Sequence, residues 1–233
     1  MTEKRDSCIR CGDCCRGSSP SLQAGDISLI KDGFLERKDL FTIRPGEIVR
    51  DNIYEELRPA EREIIKVRER DGACIFYDEG GNDCRIYVHR PVQCAALECW
   101  DSKKFMEAYS GPKACREDII RDGVLLGLIR EHERKCGYAR LEHLVRQIES
   151  AGKKAVEEIL GLLKFDYHLR PFVAQKTGID PDETDLIFGR PLVDTISQFG
   201  LQVIQKADGS FFLTTMENPF VFKMTSIGSN CLE

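Results

Sequence analysis

Near its start the chain reads Cys8-Ile9-Arg10-Cys11-Gly12-Asp13-Cys14-Cys15, a C-x2-C-x2-C-C spacing. No other stretch limits the possible folds so sharply. Two residues between cysteines make a turn that aims both sulfurs at one point. Here the turn repeats at once, so Cys8, Cys11 and Cys14 can converge on a single centre. Gly12 eases that turn, because glycine accepts positive φ. Cys15 departs from the pattern. Adjacent side chains tend to point apart, so Cys14 and Cys15 are expected not to share one mononuclear site. Cys15 is then a structural thiol, or it reaches a second metal or a cluster edge.

The chain has 233 residues and 11 cysteines. The metal-site candidates are Cys8, Cys11, Cys14, Cys15, Cys74, Cys84, Cys94 and Cys99, all in the first 99 residues. The opening residues contain no apolar leader, so a cytoplasmic location is expected. In that reducing compartment clustered cysteines bind metal or do redox chemistry more often than they form disulfides. A net charge of -5 argues against a nucleic-acid binder that relies on phosphate contacts. No apolar run approaches the roughly 20 residues of a membrane span.

Thiolate is a soft ligand that favours zinc, Cu(I) and iron–sulfur clusters. Four thiolates at about 2.3 Å close a structural zinc site, so eight cysteines could close two. C-x2-C-x2-C is also the run that wraps a 4Fe-4S cluster in bacterial ferredoxins. The usual x3-C-P continuation is absent here, and a fourth ligand would come from Cys74, Cys84, Cys94 or Cys99. The spacing therefore points to a metal centre and leaves open zinc or iron, with a 4Fe-4S cluster as one form of the latter.

The remaining pattern predicts an α+β protein. Leu22, Ile27, Leu29 and Ile30 predict a short helix that Gly33 ends. Phe41–Ile43 and Ile48–Val49 are predicted strands around an Arg44-Pro45-Gly46-Glu47 turn. The polar stretch from Asp51 to Arg62 reads as a short helix or an ordered loop. Ile64–Arg70, Cys74–Tyr77 and Cys84–Tyr87 read as a three-stranded meander, turning at Asp71-Gly72 and Asp78–Asp83. His89-Arg90-Pro91 opens a helix carrying Cys94, with Cys99 and Trp100 just past its end.

Beyond Cys115 the pattern turns helical. Residues 117–135 are rich in apolar positions and stop at Gly137. Leu141, Leu144, Val145 and Ile148 form an i, i+3, i+4, i+7 stripe that resumes after Gly152 through Leu163. Pro191–Phe199 predicts a helix ended by Gly200. Gln202–Gln205 and Phe211–Thr214 predict a terminal hairpin around Asp208-Gly209. The expected organisation is a cysteine-cluster domain over 1–110, with a small metal-stabilised antiparallel sheet. A mainly helical region, 111–233, packs on it and ends in the hairpin.

The ordered set Cys8-x2-Cys11-Gly12-Asp13-Cys14-Cys15-Arg16, Cys74-Ile75-Phe76-Tyr77, Cys84-Arg85-Ile86-Tyr87, Arg90-Pro91 and Cys94 resembles the YkgJ-type CxxCxxCC cysteine-cluster family. Its members are described as zinc- or iron-chelating. The resemblance covers roughly residues 5–100. It implies that Cys8, Cys11, Cys14, Cys15, Cys74, Cys84 and Cys94 form the metal-site set, with Cys99 as an eighth. It implies no established reaction. A similar cysteine domain occurs in flagellin lysine methylases, which are associated with an iron–sulfur cluster; only the cysteine part is shared.

Other conspicuous residues get plainer readings. Cys115, Cys136 and Cys231 are isolated, and free cysteine commonly serves as a small buried hydrophobe. His89 reads as structural, and His132, His143 and His168 as solvent-facing. Arg16, Arg85 and Arg90 would either offset the charge of a thiolate site or form surface salt bridges. Glu98 and Asp101 fit a solvated loop, and Trp100 a packing anchor under the cluster. There is no nucleophile elbow, phosphate-binding glycine loop, dinucleotide fingerprint or H-E-x-x-H, so enzymatic activity stays open. The expected function is a metal-binding protein, holding zinc or iron by thiolates for structure, storage or sensing. The alternative is an iron–sulfur-dependent enzyme related to protein lysine methylases. The expected partner is the metal ion, without nucleic acid or membrane; any protein partner is unidentified.

Overall fold

The computed structural model describes residues 8–51, 55–206 and 210–216. The expected Asp208-Gly209 turn, Cys231 and the residues before Cys8 lie outside that set. The first hundred residues fold as one-turn helices and short strands. These are α1 (Asp13–Gly17), α2 (Ile27–Lys31), β1 (Leu40–Ile43), β2 (Ile48–Asp51), β3 (Glu56–Pro59) and β4 (Ile64–Val67). Then come β5 (Glu69–Arg70), β6 (Ala73–Cys74), β7 (Tyr77–Asp78), β8 (Asp83–Cys84), α3 (Val92–Ala96) and α4 (Lys103–Ser110). The rest is mainly helical: α5 (Arg116–Ile119), α6 (Gly123–Cys136), α7 (Tyr138–Arg146), α8 (Ile148–Ala151), α9 (Lys153–Thr177), α10 (Thr184–Phe188) and α11 (Leu192–Thr195). A hairpin of β9 (Leu201–Gln205) and β10 (Phe211–Thr215) follows. The fold is α+β, as the pattern predicts.

Among the described residues the strands form only two-stranded antiparallel ladders. β1 pairs with β4, in the register Leu40↔Val67 and Thr42↔Ile65. β2 therefore does not pair with β1 across the Arg44–Glu47 turn; its partner is β3. The stretch from Asp51 to Arg62, expected as helix or loop, thus contains a strand. Its residues are mostly exposed, so β3 shows none of the apolar alternation by which strands are recognised. The expected meander is also cut in two. β5 pairs with β6, and β7 with β8, over two residues each. Between them Ile75 and Phe76 leave the ladder and pack against the main core.

That core draws on both ends of the chain. Leu22, Leu35, Leu40, Ile65 and Val67 meet Ile120, Leu125, Ile129, Val173 and the α10 residues Leu186, Ile187 and Phe188. Thr42 donates to the Leu186 carbonyl at 2.5 Å, fixing α10 against β1. A second core joins Tyr138, Leu141 and Leu144 of α7 to Ile159, Leu162 and Leu163 of α9 and to Leu192, Ile196 and Leu201. Each fully buried aliphatic side chain contributes about 1.5–3 kcal/mol.

His132 corrects its expected exposure: it is 1% exposed. It lies on the inner stripe of α6 with Leu125, Ile129 and Cys136, at helical spacing. Its Nε2 meets Asp166 at 2.7 Å, and Arg170 holds the same carboxylate at 2.9 Å. Asp166 also accepts the Leu192 N–H at 2.8 Å. His143 and His168 are exposed, as expected.

Burial lowers the pKa of His132, against the pull of Asp166; Arg44 and Arg170 push it down further. Burial raises the Asp166 pKa, but the His132 hydrogen bond and the Arg170 charge outweigh it, leaving the group at about 2. Both groups bind fewer protons folded than unfolded, so stability rises with pH. The His132 contribution is full above the ordinary histidine value of 6.5 and falls away below it. The Asp166 contribution is present above 3.8 and is lost as pH falls toward about 2. The thermal midpoint is expected to drop between about pH 7 and pH 5, and His132→Gln to flatten that drop. Asp166→Ala should cost about 3–5 kcal/mol in denaturant unfolding, since it strands buried Arg170. An unchanged slope in the first variant, or a loss below about 1 kcal/mol in the second, would contradict this network.

Candidate metal centre

The cysteine loop reverses direction at Arg10 and Gly12, with φ of 57° and 79°. Gly12 is irreplaceable in this geometry. A Cβ there would collide with the Tyr77 hydroxyl and with Asn82. Asn82 donates to the Arg10 carbonyl at 2.8 Å and accepts from the Tyr77 hydroxyl. Arg16 completes the clasp, bonding the Tyr77 hydroxyl, the Cys11 carbonyl and Asp13, each at 2.8 Å. The β7–β8 turn thus holds the cysteine loop by polar contacts. The chain after α1 lies along β4, where the Leu22 N–H donates to Ile65 and the Val67 N–H to Pro20.

The other cysteines are set by local turns of one kind. Cys8 accepts the Arg10 N–H at 3.4 Å. Cys74 and Cys84 likewise accept from Phe76 and Ile86, two residues on. Burial raises the pKa of Cys74 and of Cys84, and their bonds from Phe76 and Ile86 work against that rise. Cys94 rides on α3, where Asp26 accepts the Val92 N–H at 2.8 Å and buried Gln93 accepts the Ser21 N–H at 2.9 Å.

All eight candidate cysteines line one open cavity of about 1160 Å³. The sulfurs of Cys14 and Cys15 stand 3.9 Å apart, at hydrogen-bond distance. The two sulfurs thus stand closer than the expected divergence of adjacent side chains would place them, although both residues lie in the single helical turn α1. Two thiolates on one tetrahedral zinc stand about 3.8 Å apart, given bonds of about 2.3 Å, so this pair fits a shared ion. The hydrogen bond from Cys15 lowers the Cys14 pKa and raises that of Cys15. Burial, and then repulsion from Cys74, Cys84 and Cys14, raises the Cys94 pKa. Cys15 feels Cys94 and Cys84 in the same way. Such mutual repulsion in five neighbouring thiols is relieved by a cation among them. Among the described residues no three His, Cys, Asp or Glu side chains are yet drawn close enough to hold one ion, so chelation requires them to rotate inward.

The arginines divide their tasks. Arg16 is spent on the clasp. Arg90 lies 3.8 Å above the Tyr87 ring, and its charge lowers the pKa of Cys84 and Cys94. Arg85 eases Cys74 and Cys84 similarly. His89 stacks on Phe34 at 3.4 Å, in keeping with its structural reading. Glu98 pairs with Lys104 and Asp101 caps Lys103, while half-buried Trp100 lines the cavity. Tyr77 closes the Cys74-Ile75-Phe76-Tyr77 motif, whereas Asn82, Asp26 and Gln93 lie in no motif, and only their position beside the cysteines could have suggested them.

Residues 7–116 match the model of the CxxCxxCC family, described as "Putative zinc- or iron-chelating domain". The match covers a little under half of the chain and agrees with the resemblance carried by the cysteine motifs; it supports metal binding, of zinc or iron, by this N-terminal part. Neither a curated protein nor a solved structure matches the chain. Among the described residues no helix is long and apolar enough to cross a membrane.

Gly12→Ala is expected to lower bound metal per chain severalfold, since the clasp must open, while leaving the α9 core folded. Metal analysis beside far-ultraviolet dichroism checks this; full metal content in the variant would show that the clasp does not shape the site.

Proposed function

We propose that the segment 1–110 is a chelating module in which cysteine thiolates hold zinc or iron. The ligands are drawn from Cys8, Cys11, Cys14, Cys15, Cys74, Cys84, Cys94 and Cys99. One observation carries the reading: thiols from separated stretches of sequence line a single cavity. The donor set is soft, which suits zinc and iron–sulfur chemistry over hard cations. When bound, the metal would supply a cation that stabilises thiolates and crosslinks four turns of chain. The chain's own residues orient the sulfurs, through the Tyr77–Asn82–Arg16 clasp and the three N–H···S turns, and Arg85 and Arg90 offset the surplus negative charge. Structure, storage or sensing of the metal are the roles this arrangement serves.

The runner-up is an iron–sulfur-dependent enzyme related to protein lysine methylases. The C-x2-C-x2-C run of Cys8, Cys11 and Cys14, the run that wraps a 4Fe-4S cluster in bacterial ferredoxins, favours it. Metal content and an absorption spectrum on protein purified without oxygen separate the two. Zinc without visible absorption supports the chelating module. Iron with acid-labile sulfide and a broad band in the blue supports the cluster. Absence of any bound metal overturns both.

Metal should also order the site locally. Strands of two residues bury little apolar surface, so metal binding is folding energy for them. Chelation is expected to raise hydrogen exchange over residues 8–17 and 73–99, with β1, β4 and α9 still protected. Uniform loss of protection would mean that the metal supports the whole core.

A further inference from the structure

The cavity is larger than a metal requires. Sites for organic ligands span about 300–1,000 Å³, and this one measures about 1160 Å³. The cysteines line one part of it. A second part of the wall comes from β2, β3, the loop after β3 and the end of α4.

That second wall carries more cations than anions: its carboxylates are Glu61 and the Arg58-paired Asp51. Arg50, Arg62 and Lys113 line it, and no ion pair with a carboxylate is formed by any of them among the described residues. Two further arginines on this wall are committed, Arg58 to Asp51 and Arg190 to Glu47. Half-buried Lys113 is the most constrained of the cations. Its ammonium donates to the Tyr109 carbonyl and to Gln23 Oε1, the latter at 3.3 Å, and lies 4.5 Å from the centre of the Tyr109 ring. An ammonium has three N–H donors, so one stays available. Burial, with the adjacent charge of Arg62, lowers the pKa of Lys113. Two like charges thus stand near each other, and neither forms an ion pair with a carboxylate among the described residues. Tyr109 and Phe105, 6.1 Å apart, give the same wall an aromatic surface.

We propose that this wall is a binding site for the carboxylate or phosphate group of a small organic anion, held by Lys113 and Arg62 with Arg50 at the rim. A guanidinium fork and an ammonium are the side chains suited to such oxyanions. The rest of the ligand would lie along Phe105 and Tyr109 toward the thiols. Only this last point, what the far end of the ligand meets, rests on the chelating function proposed above.

Calorimetric titration of the full chain, as purified with its metal and at low ionic strength, tests the site. The probes are inorganic phosphate and succinate, and the comparison is Arg62→Gln/Lys113→Met. Saturable binding of either probe, weakened about tenfold or more in the double variant, supports the site. Whichever probe binds tighter assigns it to phosphate or carboxylate. No saturable binding of either, or equal binding by wild type and variant, overturns it. Metal content and thermal midpoint are measured on both proteins; unchanged values show that the variant is folded and loaded. Should neither protein hold metal, the chelating function fails, while the titration still decides the anion site.

Discussion

The ladders that carry Cys74 and Cys84 are two residues long, and ribbons that short have almost no stability of their own in water. The loop from Cys8 to Cys15 contains a single helical turn. Everything about the cysteine region follows from this constraint. Its parts are held from outside, by the core beneath and by the clasp above. Ile75, Phe76 and Ile86 anchor the hairpins to the main core. Tyr77, Asn82 and Arg16 tie the hairpins to the cysteine loop. On the proposed function, a metal ion among the thiols would be a third tie, and it would offset the repulsion that five neighbouring thiolates would otherwise feel.

The helical part meets a different demand by different means. It buries charges and pairs them. Arg116 bonds the Ile187 carbonyl and Glu133, at 2.8 and 2.7 Å, and pairs with Glu63. Arg170 links Asp166, Asp185 and the Gly189 carbonyl. Such networks add direction to an apolar core more than they add net stability. Here they fix α10 and the turn after it, and α10 in turn backs β1 and β4. The scaffold beneath the cysteines is therefore built partly by residues more than a hundred positions away.

Much of the design was legible in the sequence, in proportion to how local its cause is. The i, i+3, i+4, i+7 stripe gave α7 and α8, and Gly33, Gly152 and Gly200 marked real stops. The cysteine spacing pointed to one region of the fold, and the eight cysteines do line one cavity. Other features depend on contacts that no local pattern records. β3 is exposed, so it lacks alternation. Ile75 and Phe76 follow the core instead of the ladder, which broke the expected meander. His132 looked polar and surface-bound until α9 supplied Asp166. The approach of the Cys14 and Cys15 sulfurs to 3.9 Å is set by side-chain torsions, which residue spacing does not record.

The central claim is that sulfur from these cysteines surrounds the metal. X-ray absorption at the metal edge, on the full chain as purified, reads the first coordination shell directly. The account predicts a shell dominated by sulfur, at about 2.3 Å if the metal is zinc. A shell dominated by nitrogen and oxygen would contradict it, and would mean that the cysteine cavity is not where the metal resides.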